Sequence, residues 1–230
     1  MKHIINYLYL IVLLFASEII FSDEIEEVII KSDYRQTALD NEDSSVFILN
    51  AEEIKGEPIK HFENLSYLIP NLNFAASDSR ARYFQIRGIG ERSGYLGTPN
   101  TSVGFLIDDV DYSGQGGIAT TFDVDQIEVL RGPQGSRIGA NALAGLIYVK
   151  TKDPTEEFEG TSEITYGDYN TLSTGLAFGG PLTNSKNVKF RLALRKDDTD
   201  GFRENLYLNR SDTSRKDETT VRLKLDLEID

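Results

Sequence analysis

The sequence predicts two architectures in series: a small α+β domain, a mixed sheet with short helices, followed by the first four antiparallel strands of a transmembrane β-barrel. Three observations predict it. Between Ser45 and Pro154, short apolar runs alternate with helix-like segments and polar loops. Past Pro154, apolar and polar residues alternate at period two over about nine residues at a time, as in strands with one face in lipid. The N-terminus has the organisation of a secretory leader, which places the chain where such barrels are built.

The leader comes first. Lys2 precedes the mostly apolar run Ile4 to Ala16, interrupted by Asn6 and followed by Glu18. That run is too short to span a bilayer as a helix, for which about 20 residues are needed. Cleavage after Ser17 or Ser22 would remove it, so residues 1–22 are assigned to the signal; a buried N-terminal helix is the competing reading. Next, Glu26-Glu27-Val28-Ile29-Ile30-Lys31 is a short apolar run between charges, with no partner strand nearby in sequence. Its chemistry suits a free strand that adds to an exposed sheet edge, where backbone hydrogen bonds supply affinity. An ordinary first strand of the domain fits the same residues.

Within the domain, Ser45 to Leu49 reads as a strand and Ala51 to Lys55 as a helix start, with a second helix from Asn64 to Ile69 stopped by Pro70. Phe84–Ile86, Val103–Ile107, Ile127–Leu130 and Leu146–Val149 read as further strands. Polar loops are expected from Ala75 to Arg82 and from Glu91 to Ser102. Between the last two strands lie Gly132, Pro133, Gly135, Gly139 and Gly145 with interleaved alanines, a side-chain-poor turn that can lie flat on another surface. It is not a nucleotide fingerprint. Gly88-Ile89-Gly90 is followed by Ser93 where a third glycine is required, and no phosphate-loop motif occurs.

After Pro154, Ile164 and Tyr166, Leu172 and Leu176, Phe190 and Leu192, and Val221, Leu223 and Leu225 share apolar rows. Opposite them run Glu163, Ser173, Arg191 and Arg195, and Arg222 and Lys224. The connections expected are Gly167–Thr171, Pro181–Asn187 and a long one, Asp197–Asp217, on the outer side. Four strands cannot close a barrel, the smallest having about eight. The chain is therefore expected to be the N-terminal part of a larger protein, unable to transport by itself.

Composition narrows the function. The chain has 24 basic and 37 acidic residues, a net charge of −13, which argues against nucleic acid as a partner. Split at Pro154, residues 23–154 (12 basic, 21 acidic) carry −9 and residues 155–230 (11 basic, 15 acidic) carry −4. With no cysteine and two histidines, no cofactor or metal site is expected. Nor is catalysis, since the adjacent acids Asp108 and Asp109 should point to opposite sides of a strand.

Taken together, IEVLRGPQGSRIGANALAGLIYVKTKDP (127–154), FQIRGIG (84–90), VGFLIDDV (103–110) and LSYLIPNLNF (65–74) resemble the plug domain of TonB-dependent outer-membrane receptors. In VGFLIDDV, Asp109 stands where that family usually has glycine; DGFREN (200–205) is similar to a barrel-loop element of the same family. The resemblance implies a Gram-negative outer-membrane receptor that takes up a scarce solute, by default an iron–siderophore complex. Cobalamin, haem, nickel or a saccharide stay open. It implies a TonB box at Glu26, Glu27, Val28, Ile29 and Ile30, presented to the periplasmic domain of TonB through residues 26–31. The plug signature would be Arg87, Gly88, Arg131, Gly132, Pro133, Gly135, Gly139 and Gly145. Loop residues Arg80, Arg82, Arg92 and Tyr95 would contact an anionic or chelating solute, although the arginines suit pairing with the barrel wall equally well. The implied organisation is signal 1–22, box and linker 23–44, plug 45–154 and barrel start 155–230, with outer-membrane lipid around the strands. The position of the box close to the leader argues against an added signalling domain. The alternative is a free periplasmic plug-like binding module, for which lipid-facing rows would have no use.

Overall fold

The computed structural model describes residues 29–32, 45–56, 61–76, 80–93, 100–115, 120–183 and 186–228; the expected leader, residues 26–28 of the expected box, and Tyr95 lie outside these. Strand β1 (Ser45–Asn50) turns directly into helix α1 (Ala51–Gly56). Asn50 makes this possible: its Oδ1 accepts from the backbone N–H groups of Glu52 and Glu53, and Glu53 accepts from the Asn50 N–H at 2.9 Å. Those bonds satisfy donors that a helix start leaves unpaired. The second helical segment begins earlier than expected, as a 3-10 turn at Phe62–Asn64 that runs into α2 (Leu65–Leu68). It stops before Ile69, which is extended (φ −101°, ψ 112°) because the residue before a proline is pushed out of the helical region.

Two sequence expectations are corrected. The polar stretch from Ala75 to Arg82 is not one loop: β2 (Leu72–Ala76) and β3 (Ala81–Ile86) pair antiparallel and enter it from both ends. Asp108 and Asp109 are not strand residues with opposed side chains. They are the two central residues of the hairpin joining β4 (Val103–Ile107) to β5 (Val110–Asp111), at φ 46° and 68°. A two-residue hairpin of this hand needs positive φ at both positions, and aspartate tolerates it better than most residues.

Strands β6 (Val124–Arg131) and β7 (Gly145–Thr151) complete a five-stranded sheet of order β1-β6-β7-β4-β5, in which only β4 and β7 run parallel. On one face Ile127, Val129 and Ile147 pack with Leu65, Phe62, Phe84 and Phe105, the Phe105 ring stacking on Phe84 at 5.6 Å and meeting Phe62 edge-on at 5.2 Å. On the other, Leu130, Leu146 and Tyr148 gather with Leu106 and Ala142. Covered on both sides, β7 reads as a continuous apolar run rather than an alternation.

The glycine-rich connection between β6 and β7 extends their ladder, with the N–H of Gly132 donating to Ala144 O and that of Gln134 to Ala142 O, each at 2.9 Å. A short helix, α3 (Gly135–Ile138), sits at its tip and ends at Gly139 with φ +83°. Small residues are required at some positions and not others. A Cβ on Gly145 would lie 2.4 Å from the carbonyl oxygen of Leu130, whereas one on Gly135 would meet nothing within 4 Å.

The wall follows: β8 (Glu159–Gly167), β9 (Thr171–Pro181), β10 (Val188–Thr199) and β11 (Lys216–Leu227), antiparallel in the order β11-β10-β9-β8. The long connection is shorter than expected, because Asp197, Asp198 and Asp217 belong to strands. Asp198 lies opposite Asp217 and Asp197 opposite Glu218, pairings that would repel alone. Arg195 neutralises Asp197, Lys196 pairs with Asp217, and Arg215 reaches Asp198.

Gly145→Ala should destabilise the N-terminal domain by about 1–3 kcal/mol, the usual range for overpacking. Gly135→Ala, at an open helical position, should leave it unchanged or slightly firmer. Resistance of the domain to protease in isolated membranes measures both. Equal resistance in the two variants would refute the assignment.

Candidate functional site

The alternation of the wall sorts its residues by face. Val221, Leu223, Leu225 and Leu227 are exposed on the outer side, with Ile164, Leu172 and Leu176. Facing inward are Arg191, Arg195, Arg222 and Lys224; Arg191, Arg222 and Lys224 bond the N-terminal domain and Arg195 covers its Phe122 ring. The domain meets them with anions and carbonyls.

Asp123 is the centre of this interface. It immediately precedes β6 at φ 59° and takes both arms of Arg191, from Nε at 2.8 Å and Nη2 at 2.6 Å, with both side chains under 5% exposed. Arg191 also reaches Glu159 of β8 at 2.7 Å. Arg222 donates to the carbonyl oxygens of Phe122 and Asp123 at 2.8 and 3.1 Å, binding the same turn through its backbone. Phe122 lies against β9 where only glycine fits, since a Cβ on Gly175 would come within 2.6 Å of its ring, and Arg195 covers the ring at 5.4 Å.

The hairpin turn is anchored similarly. Lys224 donates to Asp108 at 3.0 Å, to Asp153 at 2.8 Å and to the Thr151 carbonyl at 3.2 Å. Asp108 also accepts from the Thr151 N–H and hydroxyl, and Asp109 accepts from the Tyr148 hydroxyl at 3.1 Å. Burial, and then the charges of Asp109, Asp108 and Glu128, push the Tyr148 phenol well above its ordinary value, so it stays a neutral donor. Between these anchors the surfaces part: cavities of about 490 and 430 Å³ flank Thr120. The interface is pinned at points rather than packed throughout.

The residues singled out by sequence fall into three places. Arg80 is engaged with the wall: its guanidinium spans Glu218 of β11 at 2.5 Å and Glu63 at 2.8 Å. Arg82 is exposed, bonded to the Gly114 carbonyl at 3.0 Å, and Arg92 is also exposed. Arg87 is exposed in the turn after β3, and Arg131 bonds Ser45 and lies over the Phe47 ring. Sequence reasoning missed Phe122, Asp123 and Glu128. The cationic inward rows were a usable signal for Asp123, because buried cations demand partners.

Nor are the described residues of the expected box free. Ile30 is fully buried, and Ile29 through Ser32 lie against Gln126 and Glu128 of β6.

Residues 38–146 match the family model described as the TonB-dependent receptor plug domain. The ferripyoverdine receptor of Pseudomonas aeruginosa is 26% identical over 69% of this chain and 19% of its own length. The ferric enterobactin receptor PirA of the same organism is 27% identical over 70% of this chain and 24% of its own. The chain thus spans about a fifth to a quarter of the curated relatives it matches. The ferric yersiniabactin uptake receptor FyuA from Yersinia pestis shares the fold, with a TM-score of 0.70 at 23% identity over 80% of this chain and 29% of that one.

The Glu63 grip carries a pH dependence. Burial would raise its carboxyl, but Lys216, His61 and Arg80 together hold it below its ordinary 4.5. A carboxyl lowered in the folded state stabilises above its unfolded pKa, and that contribution is lost as pH falls through the folded value. The domain's urea resistance in membranes should therefore hold at neutral pH and decline below about 4.5, with a shallower decline in Glu63→Gln. An identical acid slope in both would refute the role of Glu63.

Proposed function

Because residues 38–146 belong to the TonB-dependent receptor plug family, we propose that the protein acts in a ligand-gated, TonB-energised outer-membrane transporter for a ferric siderophore. One observation carries the transporter reading. The wall is apolar on its outer face and cationic on its inner one, and the inner face holds a folded plug through separable ion pairs. A free periplasmic module would have no use for the exposed Val221, Leu223, Leu225 and Leu227 row. The solute class rests on two relatives whose names specify ferripyoverdine and ferric enterobactin.

In this reading residues 1–22 direct export, 23–44 carry the box and linker, and the plug sits inside the barrel facing the periplasm. Solute binds outside, and Arg82, Arg92 and Tyr95 are the plug residues offered to an anionic ferric chelate. Arg80 holds the start of β3, beside Arg82, to Glu218 and Glu63. TonB pairs as an added strand with Glu27 to Ile30 and transmits force that loosens the plug. The plug's small residues, Gly132, Pro133, Gly135, Gly139 and Gly145 with Gly88, serve packing and yielding rather than chemistry.

Deleting residues 26–31 from the protein as its gene encodes it should reduce uptake of a ferric siderophore to background. Binding of the same siderophore to whole cells should stay unchanged. Undiminished uptake would sink the box assignment.

A further inference from the structure

Glu128 is a fully buried carboxylate within the sheet, a costly placement unless its oxygens are satisfied. It projects from the β6 face opposite Ile127 and Val129, towards the segment preceding the domain. Its Oε1 accepts from the Lys31 N–H at 2.5 Å and from Gln126 Nε2 at 2.8 Å, and its Oε2 accepts from the Ser32 N–H at 3.1 Å. Gln126 Nε2 also donates to the Ile29 carbonyl at 2.9 Å. Two of the three donors satisfying this charge therefore come from the segment itself.

We propose that Glu128 is the latch of the TonB-binding segment, a positioning residue that holds residues 29–32 on the plug until the segment is needed. The proposal rests on the reading of residues 26–31 as the TonB contact. While the latch is closed, the Ile29 carbonyl is taken and the Ile30 side chain is buried, so a partner strand cannot complete its ladder there. The remaining polar contacts are weak or opposed to docking. Lys31 pairs with Asp125 where both are about a third exposed. The buried Ser32 hydroxyl has no partner among the described residues, which favours release to water. Polar retention is thus concentrated in one acceptor-only group, beside the buried Ile30 side chain. Glutamine cannot replace it, because an amide presents a donor to one of the two N–H groups.

The chain contains no cysteine, so Ser32→Cys places a single, nearly isosteric thiol at a buried position. In outer membranes carrying the whole protein, maleimide labels that thiol only when the segment lifts. Adding Glu128→Gln should speed labelling about tenfold or more, the factor expected from losing charge-assisted hydrogen bonds. Gln126→Ala should speed it several-fold. A separate cysteine at the exposed Val110 controls for plug integrity and should label at the same rate in every background. An unchanged Ser32→Cys rate in Glu128→Gln with an intact control overturns the latch. If Glu128→Gln also accelerates the control, Gln126→Ala decides, and an unchanged rate there overturns it. Purified TonB periplasmic domain, added to the cysteine-free Glu128→Gln protein, should associate faster than with the parent. Faster labelling without any TonB association upholds the latch and rejects the TonB contact instead.

Discussion

The structure depends on a buried carboxylate meeting a buried guanidinium. Asp123 and Arg191 are each nearly inaccessible and joined by two hydrogen bonds, so neither charge tolerates loss of the other. Removing one partner of such a pair typically costs about 3–5 kcal/mol, because the survivor remains desolvated. The same turn is bound through its carbonyls by Arg222 and wedged by Phe122 against Gly175. Wall register follows from this. A slip of one residue would turn Arg191, Arg195, Arg222 and Lys224 towards lipid and the leucine row towards the plug.

An interface built this way holds firmly and still separates. Two apolar faces packed without gaps would bind through area alone and offer no single point of release. Here a few charged anchors alternate with cavities beside Thr120, and on separation each anchor can exchange its partner for water. The segment at residues 29–32 follows the same logic on a smaller scale, held mainly by one carboxylate and one buried isoleucine. Both contacts fit the proposed role of a plug that stays put at rest and yields when pulled.

Much of this was legible in the sequence because periodicity reports burial directly. The wall strands were visible as alternating rows, and β4 was placed at its observed bounds, Val103–Ile107. What escaped depends on partners distant in sequence. The β2–β3 hairpin was hidden because Ala75, Ala76 and Ala81 carry no strong strand preference. The Asp197-Asp198 run looked like loop because acidic pairs disfavour strands, until Arg195, Lys196 and Arg215 neutralise them in space. Asp123 and Glu128 carry no signal of their own in the sequence. Their importance lies in donors about 68 and 97 residues away, which no local pattern reveals. Arg80 was offered two roles, and its geometry places it with Glu63 and Glu218.

The central claim is that ion pairing at Asp123 fixes the plug to the wall. A double-mutant cycle tests it most directly, comparing Asp123→Asn, Arg191→Met and the double variant by urea unfolding of the plug in membranes. The chain has neither tryptophan nor cysteine, so a single labelled cysteine at Val110 can report on the plug without background. A coupling of about 1.5–3 kcal/mol between the two sites is predicted. Additive effects, with coupling near zero, would contradict it and assign plug retention to the remaining contacts.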